Sequence, residues 1–282
     1  MTHVPWAAPS TISRTTESTM EITEKYLEGK HSPETCEDGI VITNRYVAVI
    51  DGSTSKTRHR INPVMSNGRY AMQLLSAMVQ ELRGNENMQE FCLAASQAIR
   101  NAYAKAAADI DYLSNHPAER LTASMVVYSA ARHEVWLVGD CQCLADGKLY
   151  DNPKPYEAKL AAERAVLAHK LGLTPQMPDA AREAILPQML LAMQGQNKDY
   201  AVIDGFEMPV DKMKVVGVRP GSEVVLASDG YPFLEPTWAD SERRLAYLLE
   251  HDPMCVTLYK ATKGLKPGNR SFDDRAYVRF RA

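Results

Sequence analysis

The chain lacks most of the features that announce chemistry. Its five cysteines, Cys36, Cys92, Cys141, Cys143 and Cys255, are odd in number and form no C-x-x-C pair. That argues against a disulfide framework or a zinc ribbon and for reduced, structural thiols in a cytoplasmic protein. The seven histidines are scattered, with no H-E-x-x-H. His133, before a strand, and His169, in a helical pattern, read as surface or packing residues. There is no G-x-S-x-G elbow, no Walker loop and no G-x-G-x-x-G, so the common serine-hydrolase and nucleotide-binding signatures are missing. No apolar run approaches the roughly 18 to 20 residues that cross a bilayer, and no membrane partner is expected. The opening MTHVPWAAPSTISRTTEST has no basic patch followed by an apolar core. It reads as a loose arm over 1–18 rather than a secretory signal. A net charge of -3 leaves no basic field to draw in nucleic acid.

What is present is a globular composition: 282 residues, 45% hydrophobic and 24% charged, enough for a large core. Apolar runs bounded by turn residues predict strands over 19–28, 39–44, 46–51, 121–130, 133–140, 143–150, 214–218, 222–230 and 275–282. Ala71, Leu74, Leu75, Met78, Val79 and Leu82 form one apolar stripe that predicts a helix ended by Gly84. A second helix is expected from Met88 to Leu113. Residues 152–200 change character and read as a helical insert, with Pro187 expected to kink or split its second helix. Two late helices are expected over 239–251 and 252–264. Consecutive strands followed by helix pairs predict antiparallel sheets and an α+β fold.

The acids are distributed with a pattern. Glu37-Asp38 precedes a strand, Asp51-Gly52 ends one, Gly139-Asp140 and Asp229-Gly230 follow strands, and Asp273-Asp274 precedes the last. Each alone is an ordinary turn. Together they place carboxylates at strand ends five times. Two such charges 4 Å apart repel by about 4 kcal/mol at an effective dielectric of 20. If the ends converge, either the acids hold protons or cations sit between them. Oxygen-only ligands select hard cations such as Mg²⁺ or Mn²⁺.

In order and approximate spacing, Glu37-Asp38, Asp51-Gly52, LTAS at 121–124, Gly139-Asp140, ASDG at 227–230 and FDD at 272–274 resemble the metal-dependent protein phosphatases of type 2C. The resemblance spans about residues 20–282. It implies one phosphatase-like domain over 1–282 and a four-layer αββα sandwich, two antiparallel β-sheets flanked by antiparallel helix pairs at 69–113 and 240–263. It also implies two bound Mg²⁺ or Mn²⁺ ions, possibly three. Asp51 would bridge them. Asp229 and Asp273 would hold one, Glu37 and the Gly52 carbonyl the other, with Asp38 beside Glu37 and Asp140 for a weaker third ion. Asp274 is the reserve candidate for Asp273. The activity implied is hydrolysis of phosphoserine or phosphothreonine in a phosphorylated protein by metal-activated water.

The chain departs from that pattern at two places. Ser53 stands where many relatives have His as proton donor, and serine's pKa is far above neutrality. The segment before Glu37 offers only Lys30 and His31 where many relatives have Arg. The loop STSKTRHR supplies Lys56, Arg58, His59 and Arg60, so Lys56 or Arg58 is expected to dock substrate phosphate, and water or His59 to protonate the leaving group. Two alternatives stay open: another phosphomonoester as substrate, or a non-catalytic relative that binds metal or a phosphorylated partner.

Overall fold

Apolar runs with an alternating pattern pair into two five-stranded sheets, and in both every pairing is antiparallel. A computed structural model describes residues 20–282; the arm expected over 1–18 lies outside the described residues. One sheet has the order β1 (Glu21–Glu28), β10 (Arg275–Arg281), β9 (Glu223–Ala227), β6 (Gln142–Ala145), β7 (Lys148–Tyr150). The other runs β2 (Asp38–Ile42), β3 (Tyr46–Gly52), β4 (Ala123–Ser129), β5 (Glu134–Val138), β8 (Lys214–Gly217).

Alternation along β3 sorts its side chains between two cores. Val47 and Val49 join Val126, Leu137, Leu226 and Val278 between the sheets. Tyr46, Ala48 and Ile50 face the other way, onto α1 (Asn67–Glu81) and α2 (Met88–Lys105). The α1 stripe buries Ala71, Met72, Leu75 and Val79 there, each large side chain contributing about 1.5–3 kcal/mol. Trp136, Phe91 and Tyr46 pack at the centre of this layer. On the far side, α6 (Trp238–His251) lays Leu245 and Leu248 against Cys255 and Phe272. The order is helix pair, sheet, sheet, helical layer.

Three local expectations are corrected. The helix expected from Met88 to Leu113 stops at Lys105. Ala107 turns left-handed at φ 50, with Ala108 N–H donating to Tyr103 O and Ala107 N–H to Ala104 O. That is a Schellman end without its usual glycine. Asp109 then caps a separate α3 (Ile110–Asn115). Pro187 does not split its helix: α5 (Ala180–Ala192) runs through it, seated on α4 (Glu157–Lys170) by Leu160, Ile185 and Met189. The second late helix, expected over 252–264, is not helical. Asp252 starts no helix; it closes α6. Its carboxylate instead accepts from the N–H groups of Val256, Thr257, Leu258 and Tyr259 at 2.7–3.2 Å. A side chain that satisfies four donors removes the drive to form the i→i−4 ladder. The outer helical layer is therefore α6 and an irregular loop, not a helix pair.

The α4–α5 hairpin is tied to that loop. Arg164 is fully buried. Its Nε and Nη2 donate to Asp179 at 3.0 and 2.6 Å, and its Nη1 to the carbonyls of Met254 and Ala261 at 2.8 and 3.1 Å. Asp179 also caps α5. A second tie closes the segment behind the hairpin. Asp204, fully buried, accepts from Arg120, Gln196, Asn197 and the Phe206 N–H. Breaking one member of a buried pair leaves the other charge unpaired, at a cost of about 3–5 kcal/mol. Arg164→Met should therefore lower stability by about that much in urea denaturation, and Arg164→Met with Asp179→Asn should recover part of it. A loss under about 1 kcal/mol for the single variant would mean the tie is solvent-screened.

Candidate active site

Sheet register brings the acids together. Asp38, the first residue of β2, lies opposite Asp51 on β3, and Asp51 lies opposite Ser124 on β4. Gly139 (φ 84) turns the chain after β5, where a Cβ would stand 2.1 Å from Ser124 Oγ. That close approach sets Asp140 to accept from Ser124 Oγ at 2.6 Å. Asp229 follows β9 and Asp273 precedes β10, so the facing sheet delivers its acids to the same end. Asp51, Asp140, Asp229 and Asp273 line one cleft of about 320 Å³, with Ser53, Thr54 and Lys56. The α4–α5 hairpin and the segment behind it form the opposite wall through Tyr156, Glu157, Met189, Met193 and Tyr200.

Glu37 and Asp38 lie behind this cleft, 4% and 3% exposed. Glu37 accepts from Ser66 Oγ at 2.6 Å and Thr54 Oγ1 at 2.5 Å. Gly52 and Gly68 let the start of α1 press directly on the end of β3: a Cβ on Gly52 would stand 2.1 Å from Gly68 O. A Cβ on Gly68 would meet Glu37 Oε1, Gly52 O and Ser53 O, each at 2.7 Å. The Gly52 carbonyl and the Glu37 carboxylate thus share one small volume, with no room for a side chain between them.

The pair Asp273-Asp274 is divided by orientation. Asp274 turns inward and accepts from the backbone N–H of Lys30 at 2.7 Å and of Glu37 at 3.1 Å, splinting the segment after β1. Asp273 faces the cleft.

Cations that the sequence did not single out sit among the acids. Lys30, read as a weak substitute for arginine, places Nζ 2.7 Å from Asp273 Oδ1, 3.1 Å from Asp274 Oδ2 and 3.7 Å from Glu37 Oε2. Lys263 pairs with the other oxygen of Asp273. Lys154, ahead of α4, pairs with Asp140 and lies 3.7 Å from Glu157. Lys154 and Lys263 lie in segments read only as helical, which carried no signal that they would reach the acids. Of the loop cations, Lys56 lines the cleft, but Arg58 is exposed and His59 pairs with Glu119 at 3.6 Å beside the Tyr112 ring. Neither Arg58 nor His59 reaches the cleft. The loop turns at Ser55–Arg60 because Asn67 holds the carbonyl of His59 and the N–H of Ile61 against the start of α1.

Charge compensation is uneven. Burial penalises the Asp140 charge, but the Lys154 ammonium and the Ser124 hydroxyl outweigh it and hold Asp140 below its ordinary value. Asp38, Asp51 and Asp229 have no ion-pair partner among the described residues. Burial, then Asp274 and Asp229, push Asp38 up to about 8. Burial, then Asp229, Asp38 and Asp140, push Asp51 well above the carboxylate range. Asp229 opens into the cleft, yet the surrounding walls and Asp140 raise it too. Asp38 Oδ2 is buried with no hydrogen-bond partner. Burial alone puts the thiols of Cys92 and Cys143 up at about 12. Burial, with nearby acids, raises those of Cys36 and Cys255 to about 12 and Cys141 well above its ordinary value. All five cysteines are buried and unbridged, so none is available as a nucleophile.

Among the described residues, no three His, Cys, Asp or Glu side chains close around a single point. The donor set nonetheless suits a hard divalent cation. It is all oxygen, three of its carboxylates (Asp38, Asp51 and Asp229) have no ion-pair partner among the described residues, and one buried carboxylate oxygen is orphaned. The residues that fit such an ion are Asp51 and Asp229, with Asp38 directly behind Asp51.

No protein-family model and no curated protein matches the chain. Among solved structures it is similar to RsbX in complex with magnesium, at 12% identity and a TM-score of 0.45, over 93% of this chain and 98% of that one. It is similar to the Mycobacterium tuberculosis serine/threonine phosphatase PstP/Ppp, at 16% identity and a TM-score of 0.47, over 93% and 98%. It is also similar to PppA, described as a regulatory component of T6SS in Pseudomonas aeruginosa, at 13% identity and a TM-score of 0.46, over 94% and 98%.

Proposed function

We propose that the protein is a metal-dependent phosphomonoester hydrolase, acting on phosphoserine or phosphothreonine in a phosphorylated protein. The observation that carries this reading is the convergence of acids from both sheets on one cleft, where Asp51 and Asp229, with Asp38 beside Asp51, have no ion-pair partner among the described residues. Bound Mg²⁺ or Mn²⁺ would supply a water acidic enough to be hydroxide near neutrality, and countercharge for phosphoryl oxygens. Asp51 and Asp229 would hold it first. Glu37, the Gly52 carbonyl, Asp140 and Asp273 complete the set that the ordered acid series implies.

The remaining chemistry belongs to the chain's own residues. Lys154 and Lys263 present ammonium groups to an anion entering the cleft, and Thr54 and Ser124 present hydroxyls. Tyr156, Met189, Met193 and Tyr200 exclude water from the far wall. Among the described residues no histidine lines the cleft, and Ser53, which does, is too weak an acid to protonate a leaving group. Substrates whose leaving group needs no proton are therefore favoured. The free thiols and the absence of any described helix long and apolar enough to cross a membrane are compatible with a cytoplasmic place of action.

A second reading has its own observation. Lys30, Lys154 and Lys263 already neutralise the outer acids, as in a module that binds a phosphorylated partner without turning it over. Phosphate release separates the two. With Mn²⁺ the protein should hydrolyse p-nitrophenyl phosphate, faster than a phosphoserine peptide, and EDTA should abolish both. Asp51→Asn or Asp229→Asn should lower kcat by about 10³-fold or more. Full activity in chelator would eliminate the metal mechanism, and no activity with any divalent cation would leave the binding module.

The electrostatics give an independent check. A carboxyl whose folded pKa is raised destabilises the fold as pH climbs from its unfolded value, near 4, through its folded one. For Asp38 that window ends at about 8. In EDTA the Tm of the wild type should therefore fall relative to Asp38→Asn between pH 5 and 8. Mn²⁺ should reduce that fall, because it binds the ionised form. Parallel Tm curves for the two proteins in EDTA would show that Asp38 is not held protonated.

A further inference from the structure

Three cations that line the cleft have no acid to serve among the described residues: Lys56, Arg182 and the exposed Lys260. Lys154 and Lys263 are each seated on a carboxylate. Lys56 and Arg182 line the same cleft, yet among the described residues neither meets a carboxylate at ion-pairing distance. Among the described residues, the side-chain nitrogens of both donate only to neutral oxygens. Lys56 Nζ donates to the carbonyl of Thr54, and Arg182 Nη1 to Thr262 O and Oγ1 at 2.6 and 3.3 Å. They come from unrelated parts of the chain, Lys56 from the loop after β3 and Arg182 from the first turn of α5.

Their position is enforced. Arg182 N–H donates to the cap residue Asp179 at 2.9 Å, and Asp179 is gripped by the buried Arg164, which also holds the 252–264 loop. The hairpin cannot withdraw Arg182 without breaking that tie. Burial disfavours both charges, and their mutual repulsion adds to it. Burial, then Arg182 and Lys263, push the Lys56 amine down to about 7, and burial also lowers Arg182 despite the nearby Asp179. Holding two like charges in one wall without a counterion costs stability, and an incoming anion relieves it.

We propose that Lys56 and Arg182 form a second anion subsite, which holds an acidic group flanking the scissile phosphate: a carboxylate side chain or a second phosphate next to the phosphoserine or phosphothreonine. The inference rests on the phosphatase reading for the identity of the first anion. It assigns Lys56 a different task from docking the scissile phosphate. The acids Asp51 and Asp229 mark where chemistry occurs, and the free cations mark where the rest of an anionic substrate lies. At about 320 Å³ the cleft is at the small end of ligand pockets, so the second anion must be a near neighbour of the first. Arg182 suits the planar, two-oxygen geometry that carboxylate and phosphate share.

The test compares three peptides of one sequence, with alanine, glutamate or phosphoserine following the scissile phosphoserine. Steady-state KM is measured with Mn²⁺, and affinity is measured by calorimetry on the Asp229→Asn protein, so that the comparison survives without turnover. The expected result is an affinity about tenfold or more higher for the glutamate or phosphoserine peptide than for the alanine peptide, a preference that Lys56→Gln and Arg182→Gln each reduce to about threefold or less. The two acidic peptides identify which source the subsite takes. Arg182→Gln could loosen the hairpin, but Lys56→Gln lies outside it and must give the same loss of preference. Equal weakening on all three peptides would overturn the proposal and assign these cations to the scissile phosphate. An unchanged preference in both variants, or no preference in the wild type, would also overturn it. Failure to hydrolyse any phosphoester, with the binding preference intact, would sink the phosphatase reading and leave the subsite standing.

Discussion

Like-charge crowding at one end of the β-sandwich is the constraint to which the rest of the site answers. Cross-strand register puts Asp38 beside Asp51, and the facing sheet adds Asp229 and Asp273. Backbone pairing fixes these positions, so the acids cannot relieve their repulsion by moving apart. Three responses are visible. Hydroxyls from Ser66, Thr54 and Ser124 hold Glu37 and Asp140. Lysines from three separate segments neutralise the outer carboxylates. Asp38 and Asp51, with no lysine at ion-pairing distance among the described residues, are pushed toward the protonated form. A fold that needed only stability would replace those inner acids with apolar residues, since a buried charge without a partner is costly. Retaining them makes sense when a ligand completes the charge balance.

The second constraint is the Arg164–Asp179 tie. A charged pair this far from water adds little net stability, but it has directional hydrogen bonds and fixes one geometry. It connects the α4–α5 hairpin to the loop that carries Tyr259 and Lys263, so both walls of the cleft are placed by one set of bonds. The carboxylate of Asp252 shapes the same loop by collecting four backbone N–H groups. The cleft is therefore preformed, and ordering its walls is not charged against substrate binding.

Much of this was legible in the sequence because it rests on period and punctuation. Strands β2, β3, β5 and β9 are apolar runs closed by Gly, Asp or Asn, β10 is one opened by Asp273-Asp274, and the α1 stripe has an unbroken helical period. The acids were visible because they recur at those closures. What was not legible depends on contacts distant in sequence. The end of α2 uses alanine in a left-handed position that normally takes glycine. The 252–264 segment has helical composition and a good cap residue, yet the cap folds the backbone around itself. Lys30, Lys154 and Lys263 have no local signal, since a lysine's reach is decided by where the fold sets its Cα. His59 was misplaced for the converse reason: proximity in sequence to Asp51 does not survive the turn that Asn67 imposes.

The distribution of cations then separates two tasks that a sequence motif runs together. Lysines paired to acids contribute compensation, and their charge is spent before any ligand arrives. Cations without a partner keep theirs for a ligand, and an anion that meets Lys56 draws its amine, lowered to about 7, back to the charged form. On the cleft wall the second kind includes Lys56 and Arg182. Recognition by such a surface is a difference in free energy between anions that meet these two groups and anions that do not. On the proposed reading, the acids would decide what bond the site can address, while the unpaired cations would decide which molecules bearing that bond are held long enough to react.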